Sequence, residues 1–103
     1  MTFDDYQSLA LRTVNPSLTP NQRLGMAALG LCGESGEAGE VVKKHLYHHA
    51  ALDRSALVKE TGDALWYIAL MCDCIGITLQ ELAQLNIDKL TTRYPNGFGE
   101  KHD

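Results

Sequence analysis

The spacing of apolar and polar residues predicts four helices separated by short breaks. The first runs from Thr2 to about Val14, with apolar side chains three and four positions apart, and stops before Asn15-Pro16. The second runs from about residue 20 to residue 48. Its start is marked by Thr19-Pro20, a capping residue followed by proline at the first helical position.

The third helix is predicted over about 54–76, with Asp53 as its cap. Since it is apolar almost all round beyond Asp63, we expect it to be central and buried. The fourth begins at Thr78-Leu-Gln-Glu81, a capping box, and stops at Pro95-Asn96-Gly97. The last residues, Gly99 to Asp103, are expected to form a mobile tail.

Short connections between four helices predict an all-α, antiparallel four-helix bundle-like fold. At 103 residues the chain is expected to be a single domain, 1–103, with a modest core. A chain with so little core gains stability by association, so an oligomer is expected.

The second helix is unusually rich in glycine, with residues Gly25, Gly30, Gly33, Gly36 and Gly39. Each glycine costs about 1 kcal/mol relative to alanine inside a helix, so five cost on the order of 5 kcal/mol. Either the helix is broken near Gly30–Gly33, or the missing side chains allow close approach of a neighbouring backbone or a phosphate.

Four carboxylates form the candidate catalytic and metal-binding group. Glu34 and Glu37 lie three positions apart on the second helix, and Glu60 and Asp63 are spaced alike on the third. This spacing places each pair on one helix face, and antiparallel helices would let the pairs meet. Two bare charges about 4 Å apart repel by roughly 4 kcal/mol at an effective dielectric of about 20. Such a group therefore predicts a bound cation, and oxygen ligands suit Mg²⁺, with Mn²⁺ as a substitute.

The fourth helix carries an amide and two cations, Asn86, Lys89 and Arg93, beside its apolar stripe. Together with a carboxylate-bound cation, these side chains suit a polyphosphate, in which a metal-activated water attacks phosphorus and pyrophosphate leaves. One acid not fully committed to metal would accept the proton of that water. Tyr67, one turn after Asp63, is a candidate contact for a nucleobase or ribose, whereas Trp66 is more consistent with packing.

Composition narrows the choice of partner and location. Hydrophobic residues make up 45% and charged residues 21%, which is typical of a globular domain, and the net charge of −4 argues against nucleic-acid binding. The longest apolar run, 64–72, is too short to cross a bilayer, and the acidic N-terminus is unlike a signal peptide. Three cysteines in apolar stretches are expected to be reduced and buried, as in a cytoplasmic protein.

Two segments carry a resemblance to a known family. Gly33-Glu-Ser-Gly-Glu-Ala-Gly-Glu40 and Lys59-Glu-Thr-Gly-Asp-Ala-Leu-Trp-Tyr67 resemble the Glu-x-x-Glu and Glu-x-x-Asp motifs of MazG-like nucleoside triphosphate pyrophosphohydrolases, and 22 residues separate the motifs. Phe3-Asp-Asp-Tyr-Gln7 and Asn86-Ile-Asp-Lys-Leu-Thr-Thr-Arg-Tyr94 are also similar to family members.

The resemblance implies hydrolysis of a (d)NTP to the monophosphate and pyrophosphate. It implies Mg²⁺ held by the four acids, phosphate or sugar contacts from Asn86 and Lys89, and a base contact near Tyr67. It further implies a homodimer or a dimer of dimers, with each site built partly across the subunit interface.

Two alternatives stay open. Phosphoribosyl-ATP pyrophosphohydrolases share the helical architecture, and a non-catalytic interaction module would use the acids only to solvate its helices. Among the other polar residues, Glu40 is expected at the surface or behind the ligands. His45 and His49 have the spacing of a zinc pair but no further ligand, so we expect them to be solvated.

Overall fold

The computed structural model describes residues 1–99, which fold into four α-helices. These are α1 (Phe3–Leu11), α2 (Pro20–Tyr47), α3 (Arg54–Cys74) and α4 (Leu79–Arg93). No strand occurs within the described residues, which confirms the all-α prediction. The expected mobile tail lies outside the described residues from position 100 onward.

The helices begin where their capping residues predict. Thr2, Thr19 and Thr78 each accept a hydrogen bond from the backbone N–H three residues later, and each forms a reciprocal capping box. Asp53 accepts one from the N–H of Ala56. The start of every helix is therefore fixed by local chemistry.

The end of α1 is earlier than predicted. The helix stops at Leu11, and the Thr13 hydroxyl donates to the carbonyl of Ala10 over 2.7 Å. The backbone N–H of Val14 donates to the Leu11 carbonyl in the same turn. This turn directs Val14 into the core, where it is buried beside α2 and α3.

Helix α2 is continuous through its glycines, so a break near Gly30–Gly33 is excluded. It packs along α3, and residues of increasing number on α2 face residues of decreasing number on α3. The two helices are therefore antiparallel. The facing pairs in order are Arg23 with Asp73, Ala27 with Leu70, Gly30 with Tyr67 and Glu37 with Glu60. Ala27 and Leu70 are both 0% exposed, and they anchor this register in the core.

Helix α3 is central, as predicted, because it contacts each of the other three helices, but the expectation of burial holds only for Ala69, Leu70 and Cys72 in the single chain. One core cluster joins it to α1 and α4, through Ala10, Ala69, Cys72 and Leu79. A second joins it to α2 and to the turn after α1, through Val14, Ala27 and Leu70.

Helix α4 takes a different direction from α3. The chain turns at Gly76, whose φ of 78° is in the left-handed region that glycine adopts readily, and α4 then leaves α3 at a bend of 96°. In the described residues α4 contacts α1 and α3 but not α2. The antiparallel packing within one chain is therefore formed chiefly by α2 and α3.

A single chain leaves much of its surface uncovered. Its accessible surface is 7470 Å², whereas a folded monomer of 11.3 kDa is expected to expose about 5,700 Å². Its radius of gyration is 16.5 Å, against about 13 Å for a compact chain of this length. Among residues 1–99 no single helix is long and apolar enough to cross a membrane. Helices α3 and α4 taken together reach that length and apolar composition, but they form a pair bent by 96°.

Gln7 ties three helices together through a buried amide. Its Oε1 accepts a hydrogen bond of 2.8 Å from the backbone N–H of Leu79, and its Nε2 donates to the carbonyl of Ala69 over 3.3 Å. The residue is 7% exposed and links α1 to the end of α3 and the first turn of α4.

We expect Gln7→Leu to lower the free energy of unfolding by about 1–3 kcal/mol, because it leaves the buried N–H of Leu79 without an acceptor. Urea denaturation followed by circular dichroism measures this. The neighbouring exposed residue supplies the control, since Ser8→Ala should change stability by no more than about 0.5 kcal/mol. Equal stability of the two variants would contradict a bridging role for Gln7.

Candidate metal centre and nucleotide pocket

Three of the four predicted acids come together between α2 and α3. One carboxylate oxygen from each of Glu34, Glu37 and Glu60 lies within 4.8 Å of the other two. Oxygens bound to one Mg²⁺ at about 2.1 Å are at most about 4.2 Å apart. Small side-chain rotations would therefore close this group around one ion.

Glu34 carries the clearest sign of an unsatisfied polar atom in the group. Its Oε2 atom is buried and has no hydrogen-bond partner. A buried carboxylate oxygen without a partner is costly, because it has lost water and gained nothing in return. A divalent ion between the helices would provide the missing interaction, so the side chains present fit such an ion.

Glu37 shows the mutual repulsion within the group. The pKa of Glu37 is raised above its usual value, first by a side-chain hydrogen bond with Glu60 and then by the negative charge of Glu60. Desolvation and the charge of Asp63 raise it further, whereas the nearby ammonium of Lys59 lowers it. Glu37 therefore holds a proton more readily than an isolated carboxylate does. A bound cation would take the place of that proton.

Asp63, the fourth predicted acid, lies outside the three-oxygen group. It lines an adjoining cavity of about 310 Å³ with Glu34, Met26, Trp66 and Tyr67. Ligand pockets range upward from about 300 Å³, so this cavity is at the small end of that range. The pKa of Tyr6 is raised by burial and then by the charge of Asp63, which places α1 close to the same wall.

The polar residues of α4 are not brought to this cavity within one chain. Asn86 and Lys89 are exposed and Arg93 is half-buried, on a helix that does not contact α2. None of the three lines the cavity or belongs to the three-oxygen group, and α4 diverges from α3 at 96°.

The remaining polar residues behave largely as expected. Glu40 forms only an exposed pair with Lys43, with 3.6 Å between Nζ and Oε1. His45 Nδ1 lies 2.9 Å from the carbonyl oxygen of Ala50, and neither His45 nor His49 belongs to a three-ligand group within residues 1–99. The expectation of buried cysteines holds for Cys72 but is wrong for Cys32. Cys32 is exposed because it lies about 200° round α2 from Gly30, on the side away from α3.

The sequence analysis missed Met26 as a residue of the pocket and did not single out Gly30 from the other glycines of α2. Met26 lines the cavity, and Gly30 lies against the Tyr67 ring. Met26 and Gly30 precede Glu34 by eight and four residues, so all three lie on the same face of α2. That spacing was the available signal, and it becomes informative once Glu34 is known to face α3.

Comparison with known proteins identifies the family. A family model described as the MazG nucleotide pyrophosphohydrolase domain matches residues 22–98, which include all four acids and the α4 strip. The chain belongs to the MazG nucleotide pyrophosphohydrolase family. This MazG chain is also similar to the Gene 37 protein of Mycobacterium phage L5, with 33% identity over 78 residues, or 72% of this chain and 68% of the relative. No solved structure gives a significant match.

Glu60→Gln should have opposite effects with and without metal. Without metal it removes repulsion, so the melting temperature should stay the same or rise. The wild type should gain about 1.4 kcal/mol when free Mg²⁺ is tenfold above its dissociation constant, or several degrees in melting temperature. The variant should lose most of that gain, which thermal unfolding with and without MgCl₂ measures.

Glu40→Gln is the matched control, because Glu40 lies on the same acidic segment but outside the three-oxygen group. It should retain the full stabilisation by Mg²⁺. An equal loss in both variants would indicate diffuse electrostatic screening instead of a defined site.

Proposed function

We propose that this chain is a Mg²⁺-dependent nucleoside triphosphate pyrophosphohydrolase that converts a (d)NTP to the (d)NMP and pyrophosphate. The observation that carries the proposal is the partnerless, buried Oε2 of Glu34 beside Glu37 and Glu60. The family supports nucleotide pyrophosphohydrolysis in general, and this cluster supports the metal dependence. A cytoplasmic location, where nucleoside triphosphates are abundant, belongs to the same proposal.

Glu34, Glu37, Glu60 and Asp63 would hold the cation. When bound, Mg²⁺ neutralises phosphate oxygens and lowers the pKa of a coordinated water. The carboxylates of α2 and α3 fix where the triphosphate lies, and this positioning supplies much of the acceleration in phosphoryl transfer. Of these four acids Asp63 is the least committed to the cation, because it borders the cavity but lies outside the three-oxygen group, and it is therefore the best candidate to accept the proton of the attacking water.

The cavity beside the acids would take the nucleoside. Tyr67 and Trp66 offer aromatic surface there, and Glu34 and Asp63 lie on the same walls. A planar base or ribose against Tyr67 would leave the triphosphate directed toward the carboxylates. Asn86, Lys89 and Arg93 would contact phosphate or sugar, since cations suit phosphate oxygens.

We also propose a homodimer or a dimer of dimers. An apolar groove of about 500 Å³ runs along α3, lined by Leu57, Val58, Thr61, Gly62, Ala64, Leu65 and Ile68. The surface in excess of a compact monomer is more than the roughly 800 Å² that each partner buries in a standard interface. Association would also let the α4 strip of one subunit approach the acids of another, which it does not do within its own chain.

Activity is tested by pyrophosphate release from the four ribonucleoside and four deoxyribonucleoside triphosphates and from phosphoribosyl-ATP, with and without Mg²⁺. We expect turnover of at least one nucleoside triphosphate that requires Mg²⁺. Glu37→Gln and Asp63→Asn should each lower kcat by about a hundredfold or more while the far-ultraviolet spectrum is unchanged. Glu40→Gln should retain wild-type turnover.

Each alternative gives a different result in this panel. Preference for phosphoribosyl-ATP would identify the second enzyme class. No Mg²⁺ binding and no turnover of any substrate would favour the interaction module. Wild-type rates in both Glu37→Gln and Asp63→Asn would remove the metal model.

Val58→Glu should convert the oligomer to monomers, because it places a charge in the apolar groove. Val58 is 57% exposed in the single chain, so the substitution should not disturb the fold of the subunit. Light scattering after size exclusion would report a mass near 11.3 kDa for the variant and a multiple of it for the wild type. Leu9→Glu, which changes an exposed residue on α1 outside the groove, is the control. Dissociation by both substitutions, or by neither, would contradict association through α3.

A further inference from the structure

Gly30 differs from the other glycines of α2 in what occupies the space of its missing side chain. A Cβ built on Gly30 would overlap the ring atoms Cδ1, Cε1 and Cζ of Tyr67. A Cβ built on Gly25, Gly33, Gly36 or Gly39 would meet nothing within 4 Å. The aromatic ring therefore lies directly on the backbone of α2 at one position, one helical turn before Glu34.

The Tyr67 ring also contacts a second aromatic ring. The Trp66 ring meets it edge to face, with 5.0 Å between ring centroids and an interplanar angle of 88°. The Trp66 Nε1 donates a hydrogen bond of 2.8 Å to the Thr13 hydroxyl, which itself donates to the Ala10 carbonyl. The Tyr67 ring thus contacts both the α2 backbone and an indole that is hydrogen-bonded to the turn after α1.

We propose that Gly30 is a positioning residue that sets the Tyr67 ring as the aromatic wall of the nucleoside cavity, an inference that rests on the proposed function. Tyr67 lines the cavity together with Glu34 and Asp63. The depth of the ring against α2 therefore decides whether a planar base fits beside the acids.

A methyl group at position 30 would move the ring and leave the helices in place. The overlapping atoms belong to the ring of a half-buried side chain and not to the backbone, so the ring gives way by rotation about its side-chain bonds. The backbone separation is fixed one turn away by the fully buried pair Ala27 and Leu70. Gly30→Ala should therefore keep the fold and the carboxylate group but open the aromatic wall.

The first test is spectroscopic and needs no activity. Trp66 is the single tryptophan of the chain, so its near-ultraviolet circular dichroism and fluorescence report the placement of the adjacent Tyr67 ring. Gly30→Ala should change both signals while the far-ultraviolet spectrum stays the same. Gly25→Ala is the matched control, with the same substitution on the same helix and open space around it, and it should leave both signals unchanged. Identical spectra for the two variants would overturn the proposal.

The second test separates nucleotide binding from metal binding. For the nucleoside triphosphate turned over best, Gly30→Ala should raise KM about tenfold, the loss expected for one base–aromatic contact, with kcat nearly unchanged. The dissociation constant for Mn²⁺ alone should match that of the wild type, since the carboxylates do not move. A weakened Mn²⁺ site would mean that α2 and α3 had separated, and would contradict an effect through the ring.

A double-mutant cycle identifies the route of the effect. In a Tyr67→Ala background, Gly30→Ala should add no further rise in KM, because the group through which it acts is gone. Additive effects would show that Gly30 acts independently of Tyr67 and would overturn the proposal. Absence of turnover in the wild type would reject the proposed function, and the spectra would then decide the placement of the ring.

Discussion

The antiparallel register of α2 and α3 is the constraint on which the other features depend. It is fixed by apolar packing of Ala27 on Leu70 and by an ion pair of 2.7 Å between Arg23 and Asp73. Both lie on the far side of Gly30 from the acids. A slip of one turn would move α3 by about 5–6 Å and would take Glu60 away from Glu37. Packing in one half of the helix pair therefore holds like charges together in the other half.

This arrangement stores unfavourable electrostatics where chemistry is expected. The raised pKa of Glu37 and the partnerless oxygen of Glu34 are two expressions of one excess of negative charge. Hydrophobic or hydrogen-bonded side chains at these positions would remove the charge repulsion permanently. Carboxylates instead leave the repulsion to be relieved, in the proposed function, by a cation and its bound polyphosphate. In the proposed function, stability given up at this point would be the source of affinity for metal, a common feature of functional sites.

Local signals in the sequence were enough to predict the helices and the acids. Capping residues such as Thr19 and Asp53 determine helix starts through contacts three residues away, so no tertiary information is needed. The direction of α4 was not predictable in this way. The apolar stripe of α4 shows that one face of the helix is apolar but does not show which element covers that face. Ile87 on α4 is still 54% exposed in the single chain. The role of Gly30 was also hidden, because five glycines look alike until one of them meets Tyr67.

The two faces of α3 link association to catalysis in the proposed function. The apolar groove and the acidic face lie about 140° apart round the same helix, so one rigid element carries both. A helix moves as a unit, so a partner that packs into the groove would also limit how far Glu60 and Asp63 can retreat from α2. Their repulsion favours separation of the helices, and burial of the groove would oppose it. A subunit interface at that position would therefore keep the carboxylates close enough to share an ion. The sparse core of one chain holds α2 and α3 together less firmly than the core and the interface would together.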